Sequence, residues 1–188
     1  MTAKFPILFL AALCTLYAGQ EPDFRKAAWG MTQDQVKATE TTPPAEVTES
    51  AGEVVLRYET ASSRLLYIFA DNKLVRGKDI SKAMHEEPND FIADFAALEP
   101  LLLEKYGAPT ADRAIWENDL FQQERLPYLE QDRAHASDIL PSDRFTGLSV
   151  SLGYLKMYTE RSTARTRIIH ALTGADNHIL HQVEYRAL

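Results

Sequence analysis

The stretch FRKAAWGMTQDQVK, residues 24–37, predicts how the folded domain begins. Thr32 and Gln35 have the spacing of a capping box, in which each side chain binds a backbone N–H at the other's end of the first helical turn. Met31 and Val36 are placed to pack together across the same turn as a hydrophobic staple. The sequence therefore predicts a helix that starts at Thr32 and is fixed to a core.

Trp29 precedes this cap and has two interpretations. As a structural residue, its ring turns inward beside Gly30 and anchors the entering chain. As a functional residue, the ring is exposed and binds a partner. We favour the structural interpretation, because the cap and the staple fix the segment against the body of the protein.

The next segments predict strands. The prolines of the TTPP sequence at 41–44 end the first helix, since proline has no N–H to donate. Residues 54–59 and 64–69 are rich in aliphatic and aromatic residues and are separated by a short polar turn. Residues 73–80 follow another turn at Asp71-Asn72. The first half therefore reads as a helix followed by antiparallel strands.

A second helix is predicted from Asn89, a good N-cap residue, to Tyr106. Gly107 suits the left-handed position after a helix, and Pro109 prevents continuation. Pro100 should kink the helix or split it near Leu98. Apolar residues recur at helical spacing and form one stripe: Phe91, Phe95, Leu98, Leu102 and Tyr106.

The remaining chain predicts further strands. Residues 113–116 are a short strand candidate, 118–142 a polar loop with an irregular helical piece at 128–136, and 148–152 a segment for which we favour helix. Three strand candidates close the sequence, at 154–160, 164–173 and 178–187.

If 174–177 is the last loop, three pairs follow in the terminal hairpin: Ile168 with Val183, Leu172 with Ile179, and Arg167 with Glu184. Ile168, Leu172, Ile179 and Val183 would then lie on the face covered by the second helix. The predicted class is α+β, an antiparallel sheet with helices packed on one face. The element order indicates two helix-then-strands halves that share one sheet.

Length and charge narrow the class of protein. The 188 residues, 45% of them hydrophobic, are enough for one ordinary core. The formal net charge of −7 argues against a nucleic-acid surface, which needs concentrated Lys and Arg.

The first eighteen residues read as a secretory signal peptide, with Lys4 before an apolar run that ends at Ala18. This run is too short for a transmembrane helix, which takes about 20 residues. We predict a single α+β domain at 19–188, located in the periplasm or secreted. Cys14, the only cysteine, lies in the leader, and Leu13 before it departs from the small residue usual in a lipoprotein signal.

These residues carry a resemblance. Trp29 to Thr32, Gln35 to Lys37, and Lys105 to Pro109 match the Trp-Gly-Met-Thr, Gln-Val-Lys and Lys-Tyr-Gly-x-Pro pattern of an uncharacterised bacterial secreted protein family, which the chain resembles over most of 24–188. The helix start is also similar to that of small outer-membrane assembly lipoproteins of the BamE type and to the beta-lactamase-inhibitor-like fold. The resemblance implies an envelope location and an α+β fold, and it implies no reaction.

Two histidines are the first candidates for chemistry. His170 and His181 would be directly opposed in the terminal hairpin and could supply two metal ligands. We favour partly buried, hydrogen-bonded imidazoles, because two ligands do not make a site. His85 beside Glu86 and Glu87 could bind a cation, yet simple solvation is the favoured interpretation.

The other candidates fit no catalytic pattern. The serines lack the glycine elbow of a serine hydrolase, and the sequence has no Gly-rich phosphate loop. Asp94, Glu99 and Glu104 are expected on the polar side of the second helix. A group of aromatic and aliphatic residues in the polar loop either folds onto the core, which we favour, or forms a partner-binding edge: Trp116, Phe121, Tyr128 and Leu129.

We therefore predict no catalytic, cofactor-binding or metal-binding residue. The expected function is that of a non-enzymatic envelope module that binds another protein or a cell-wall or membrane component. The alternative is a periplasmic hydrolase or a metal-dependent enzyme. An enzyme needs a concave pocket with convergent polar groups and perturbed ionisation, whereas a binding module can present a flat edge.

Overall fold

The computed structural model describes residues 21–117, 135–140 and 146–188. The leader, Cys14 and most of the 118–142 loop, including Phe121, Tyr128 and Leu129, lie outside these ranges. The helices are α1 (Gln33–Thr39), α2 (Asn89–Tyr106) and α3 (Thr146–Ser151), with one 3-10 turn at Ala136–Asp138. The strands are β1 (Glu46–Ser50), β2 (Glu53–Glu59), β3 (Ser63–Ala70), β4 (Lys73–Ser81), β5 (Ala111–Trp116), β6 (Leu155–Ser162), β7 (Thr166–Ala175) and β8 (His178–Ala187).

All eight strands form one antiparallel sheet in the order β1-β2-β3-β4-β8-β7-β6-β5. Each half of the chain begins with a helix and contributes four strands, the second half has α3 and the 3-10 turn in addition, and the halves meet where β4 pairs with β8. The α+β class and the arrangement of two helix-then-strands halves are confirmed.

Both main helices cover the same face of the sheet. Tyr67, Gly77, Tyr185, Ile168 and Arg161 stand opposite one another in five neighbouring strands, and directly opposed residues point to the same side. Tyr67, at one end of this row, belongs to a first core beneath α1. Arg161, at the other end, lies beneath α2. The prediction of helices on one face is confirmed.

The capping box forms as predicted. Gln35 N–H donates to Thr32 Oγ1 at 3.4 Å, and Thr32 N–H donates to Gln35 Oε1 at 2.8 Å. Val36 is buried and Met31 packs against the first core. Trp29 is partly buried against this core, and its ring N–H donates to Thr166 Oγ1 on β7 at 2.9 Å, so the segment ties the first half to the second.

Gly77 has a packing role that the sequence does not reveal. A Cβ at this position would lie 2.3 Å from Cδ1 of Phe24, whose ring crosses β4 and contacts Tyr67 and Tyr185. Only glycine leaves space for this ring, so the entering chain can lie directly on the sheet.

Helix α2 differs from the prediction in two respects. Asn89 is the first helical residue and not the N-cap, and its Oδ1 accepts from Gly147 N–H of α3 at 2.7 Å. The helix is not split at Pro100. Pro100 and Ala96 are both exposed, so the carbonyl that loses its partner is on the solvent side of the helix.

The terminal hairpin has a different register from the predicted one. Its turn is Asp176-Asn177 with φ of 52° and 63°, and Ala175 pairs with His178. Asp and Asn tolerate this left-handed conformation, which a two-residue hairpin turn requires. Gly174 stays in β7, where a Cβ would lie 2.2 Å from the Val150 carbonyl oxygen.

The predicted pairs are therefore wrong by two residues. Ile168 pairs with Tyr185, Leu172 with His181, and Arg167 with Arg186. A shift of two residues keeps each side chain on its face. The predicted apolar row thus stays on the helix side, where Ile168, Leu172 and Val183 are buried.

Helix α3 was predicted from the sequence, whereas strand β1 was not. Residues 148–151 are helical in α3, as favoured from the sequence, and Gly153 with φ of 78° follows it. The sequence did not predict β1, an edge strand whose residues are all exposed.

Candidate functional site: a buried polar chain beside a cavity under α2

A chain of polar side chains connects α2 to the sheet. Glu99 accepts hydrogen bonds from Thr159 Oγ1 at 2.7 Å, Arg161 Nη2 at 2.6 Å and His170 Nδ1 at 2.6 Å. Arg161 is 1% exposed and also donates to the Gly107 carbonyl at 3.0 Å. The predicted solvated position of Glu99 is therefore wrong.

The physical reason is the phase of the inward stripe of α2. Ile92, Phe95 and Leu102 are buried, and Glu99 lies four residues after Phe95 and three before Leu102. Phe91 and Leu98, which were predicted to be in the stripe, are only partly buried. A carboxylate thus lies on the inward side of the helix with 20% of its side chain exposed, where it needs the three donors on the sheet.

Glu99 is ionised. Burial by itself would raise the pKa of Glu99, but the hydrogen bonds from His170, Arg161 and Thr159 lower the pKa to about 2. An ionised carboxylate only accepts, so Nδ1 of His170 must carry the proton that it donates. The ring of His170 stacks on Phe95 with centroids 4.0 Å apart, which holds it in this orientation.

The tautomers of both histidines follow from this first bond. Burial lowers the pKa of His170, and burial together with the repulsion expected between two protonated rings lowers the pKa of His181 to about 4. Both rings are neutral at pH 7. Nε2 of His170 therefore accepts from Nε2–H of His181, and the two atoms are 2.8 Å apart. His181 is left with a bare Nδ1 acceptor.

This Nδ1 atom is buried and has no hydrogen-bond partner among the described residues. A buried acceptor without a donor costs about 1–3 kcal/mol, so such groups are few in native structures. The polar chain thus ends in an acceptor that the rest of the described protein does not satisfy.

His181 lines a cavity of about 430 Å³ between α2 and strands β3, β4 and β8. The volume lies within the range of about 300–1,000 Å³ that is common for ligand sites. The wall on the helix side is mostly aliphatic. The lining residues are Ser62, Ser63, Asp79, Ser81, Asp94, Ala97, Leu98, Leu101, Leu102, His181, Gln182, Val183 and Tyr185.

Asp94 of α2, at the edge of this cavity, binds the imidazole of His85. Its Oδ2 is 2.7 Å from Nε2 of His85, and the His85 ring packs edge-on against Phe91. The carboxylate partner of His85 is therefore Asp94 and not one of the adjacent Glu86 and Glu87.

The structure places the other sequence candidates as follows. His170 and His181 are close but not directly opposed, since His170 pairs with Val183. Ser62 and Ser63 line the cavity, whereas Ser149 and Ser151 are buried in α3. Trp116 packs, partly buried, against the second core, and Glu104 is exposed.

Sequence reasoning missed Asp79, Thr159 and Arg161. Alternation along β6 places Thr159 and Arg161 on the helix face, which is a usable signal, whereas an irregularity in the β3–β4 pairing shifts the alternation before Asp79. Their partners, however, are distant in the chain, as in the Arg161 and Glu99 pair. Within the described ranges, the chain offers no group of three His, Cys, Asp or Glu side chains that could hold a metal ion.

None of the described helices is both long and apolar enough to span a membrane. No protein-family model, curated protein or solved structure matches this chain.

Proposed function

We propose that this chain is a non-enzymatic binding module of the bacterial envelope or of the secreted proteins, and that the cavity under α2 is its ligand site. The cavity is the observation that carries the proposal. It combines an aliphatic wall on α2 with Asp79, Asp94 and the unsatisfied His181 on its polar side. The signal-like leader supports the location, and an envelope protein or a cell-wall or membrane component is the proposed partner.

A second candidate function is hydrolysis or another acid–base reaction in the same cavity. A concave site with two carboxylates, and with the Asp94–His85 pair at its edge, favours it. Two observations favour binding instead. A pKa of about 4 makes His181 a weak base at neutral pH. No hydrogen bond joins a histidine to Ser62, Ser63 or Ser81, the described serines that line the cavity.

The test blocks the cavity without disturbing the fold. Ala97 and Ala96 are neighbouring exposed residues of α2, and only Ala97 lines the cavity. Ala97→Trp should fill the site, while Ala96→Trp is the matched control with the same added ring outside it. Each variant is used to capture components from the native envelope, and the captured components are identified by mass spectrometry.

A ligand held by the wild type and by Ala96→Trp but lost from Ala97→Trp would support the proposal. Equal capture by both variants would place the partner surface elsewhere. Chemical conversion of the captured ligand during incubation, abolished by Ala97→Trp, would favour the enzyme.

A further inference from the structure

We infer that the cavity under α2 binds an aliphatic chain that ends in an ammonium group. This inference names the ligand chemistry of the proposed function and rests on it. It begins with the direction of the hydrogen bonds in the buried polar chain. Each donor in that chain is directed toward Glu99, so the last member, His181, presents a lone pair.

The charged groups of the cavity wall are acceptors as well. Asp79 and Asp94 are the only described charged residues of the cavity wall, and both are carboxylates. His181 is 7% exposed, and its Nδ1 is almost inaccessible to water from the cavity as well as from bulk solvent, so a ligand donor reaches it only by displacing its neighbours. A donor brought by a ligand would satisfy this acceptor, whereas an anion would face two carboxylates and a lone pair.

The remainder of the wall selects the body of the ligand. Ala97, Leu98, Leu101 and Val183 give the cavity an aliphatic surface, and Leu101 is 60% exposed. An alkyl chain on this surface removes apolar area from water on both partners. The combination of aliphatic wall and acceptor end fits the four-carbon stem and ammonium group of a lysine side chain, or a free alkylamine.

Neighbouring charges determine which end of the cavity the ammonium group occupies. A second cavity shares Asp79 and Tyr185 with the first and is lined by three cations, Arg25, Lys26 and Lys105. Tyr185 lies four residues beyond His181 on β8, a distance of about 13 Å along a strand. The ammonium group therefore belongs at the His181 and Asp94 end, away from these cations.

The test is a titration of the full mature chain with small probes of matched length. Pentylamine supplies the ammonium group, and pentanol supplies the same chain without charge. Pentylamine should bind at least about tenfold more tightly, since a hydrogen bond to a charged group is worth more than 1.4 kcal/mol. Binding as tight for pentanol as for pentylamine would overturn the inference.

The variants and a spectroscopic readout locate the bound group. Asp94→Asn should weaken pentylamine binding about tenfold, whereas Asp90→Asn, which removes an exposed carboxylate of the same helix, should change it by less than about twofold. In ¹⁵N-labelled protein, the Nδ1 resonance of His181 should move toward the hydrogen-bonded value with pentylamine and stay in place with pentanol. An unmoved resonance during saturable binding would contradict the site. Unchanged melting temperatures would show that both variants fold.

Two further probes distinguish the source of the ammonium group. Nα-acetyl-lysine methylamide represents a side chain of a protein or cell-wall peptide, and 1,5-diaminopentane represents a free amine. Tighter binding of either one identifies the source, and binding of neither contradicts the inference. This experiment is independent of the capture experiment: amine binding without a cavity-dependent partner contradicts only the proposed function, and a cavity-dependent partner without amine selectivity contradicts only this inference.

Discussion

The two halves of the sheet each begin with a helix and contribute four strands, yet they are held together differently. Beneath α1, the first core is built from aromatic and aliphatic side chains such as Phe24, Tyr67 and Phe69. Beneath α2, an apolar core lies beside an ion-paired chain from Arg161 through Glu99 to the two histidines. The first half also has a carboxylate at its core, Glu40, which accepts from the Tyr67 hydroxyl, but only the second has a buried arginine and two buried histidines in one hydrogen-bonded chain. This difference supports the proposed site beneath α2, because buried polar groups cost free energy that packing alone would avoid.

The largest expected effect comes from breaking the ion pair. Arg161→Ala removes a fully buried guanidinium and leaves the partly buried Glu99 without its positive partner, which should destabilise the fold by about 3–5 kcal/mol. Chemical denaturation measures it. Arg167→Ala is the matched control, because Arg167 forms an ion pair with Glu160 on the open face and is 42% exposed. That change should cost less than about 1 kcal/mol. Equal costs would mean that the buried ion pair contributes no more to stability than an exposed one.

Core truncation compares the apolar parts of the two halves. Leu65→Ala in the first core and Leu172→Ala in the second should each cost about 2–5 kcal/mol, because both residues are fully buried. Leu180→Ala on β8 is a control, since this side chain is 40% exposed. The denaturation midpoint reports each change. A negligible loss for Leu172→Ala would contradict the register that places it beneath α2.

Acid should weaken the second half through His170 and His181, whose pKa values are both lowered by burial. The pKa of His181 is lowered from 6.5 to about 4 in the folded protein, so the unfolded chain binds the proton more tightly. The stabilisation is present above pH 6.5 and is lost as the pH falls toward 4, with a loss of about 3 kcal/mol. Glu99 acts at lower pH, because its lowered pKa of about 2 makes it protonate first in the unfolded chain.

Unfolding free energies measured from pH 7 to pH 4 test this dependence. The slope of the unfolding free energy against pH should decrease in His181→Asn. It should persist in His178→Asn, a control at an exposed residue of the same strand. The same slope in both variants would mean that other groups cause the acid sensitivity.

The smallest expected effect concerns the helix start of the first half. Thr32→Ala removes the acceptor for Gln35 N–H and should cost about 0.5–2 kcal/mol. Thr32→Ser keeps the hydroxyl and serves as the control. Thermal unfolding measures both variants. If the alanine variant has the same melting temperature as the wild type, the capping box does not help to hold α1 on the first core.

Local signals in the sequence predicted most of the fold. The Thr32–Gln35 cap, the turn at Asp71-Asn72 and the glycine after α2 act within a few residues, so a single sequence reveals them. The predicted hairpin register was wrong because the position of Gly174 depends on the backbone of α3, which is distant in the chain. Strand β1 was not predicted because all its residues are exposed, so its sequence shows no hydrophobic alternation.

The candidate site was only partly accessible to the same reasoning. The nearness of His170 and His181 followed from strand alternation, and their burial was the favoured interpretation. The role of Glu99 was missed because a glutamate on an amphipathic helix is normally solvated, and only the helix phase together with Arg161 reveals otherwise. The cavity depends on how α2 lies across β4 and β8, which is a tertiary property and leaves no local pattern.

The central position of β8 has a consequence for folding kinetics. β8 fills the place between β4 and β7, so the first half cannot complete its hydrogen bonding until residues 178–187 have been made and brought back. Until then β4 is an open edge that can pair with other chains. The long separation between paired residues, such as Gly77 and Tyr185, favours slow assembly. During biogenesis, protection of the β4 edge should therefore limit the yield of native protein more than the formation of either helix.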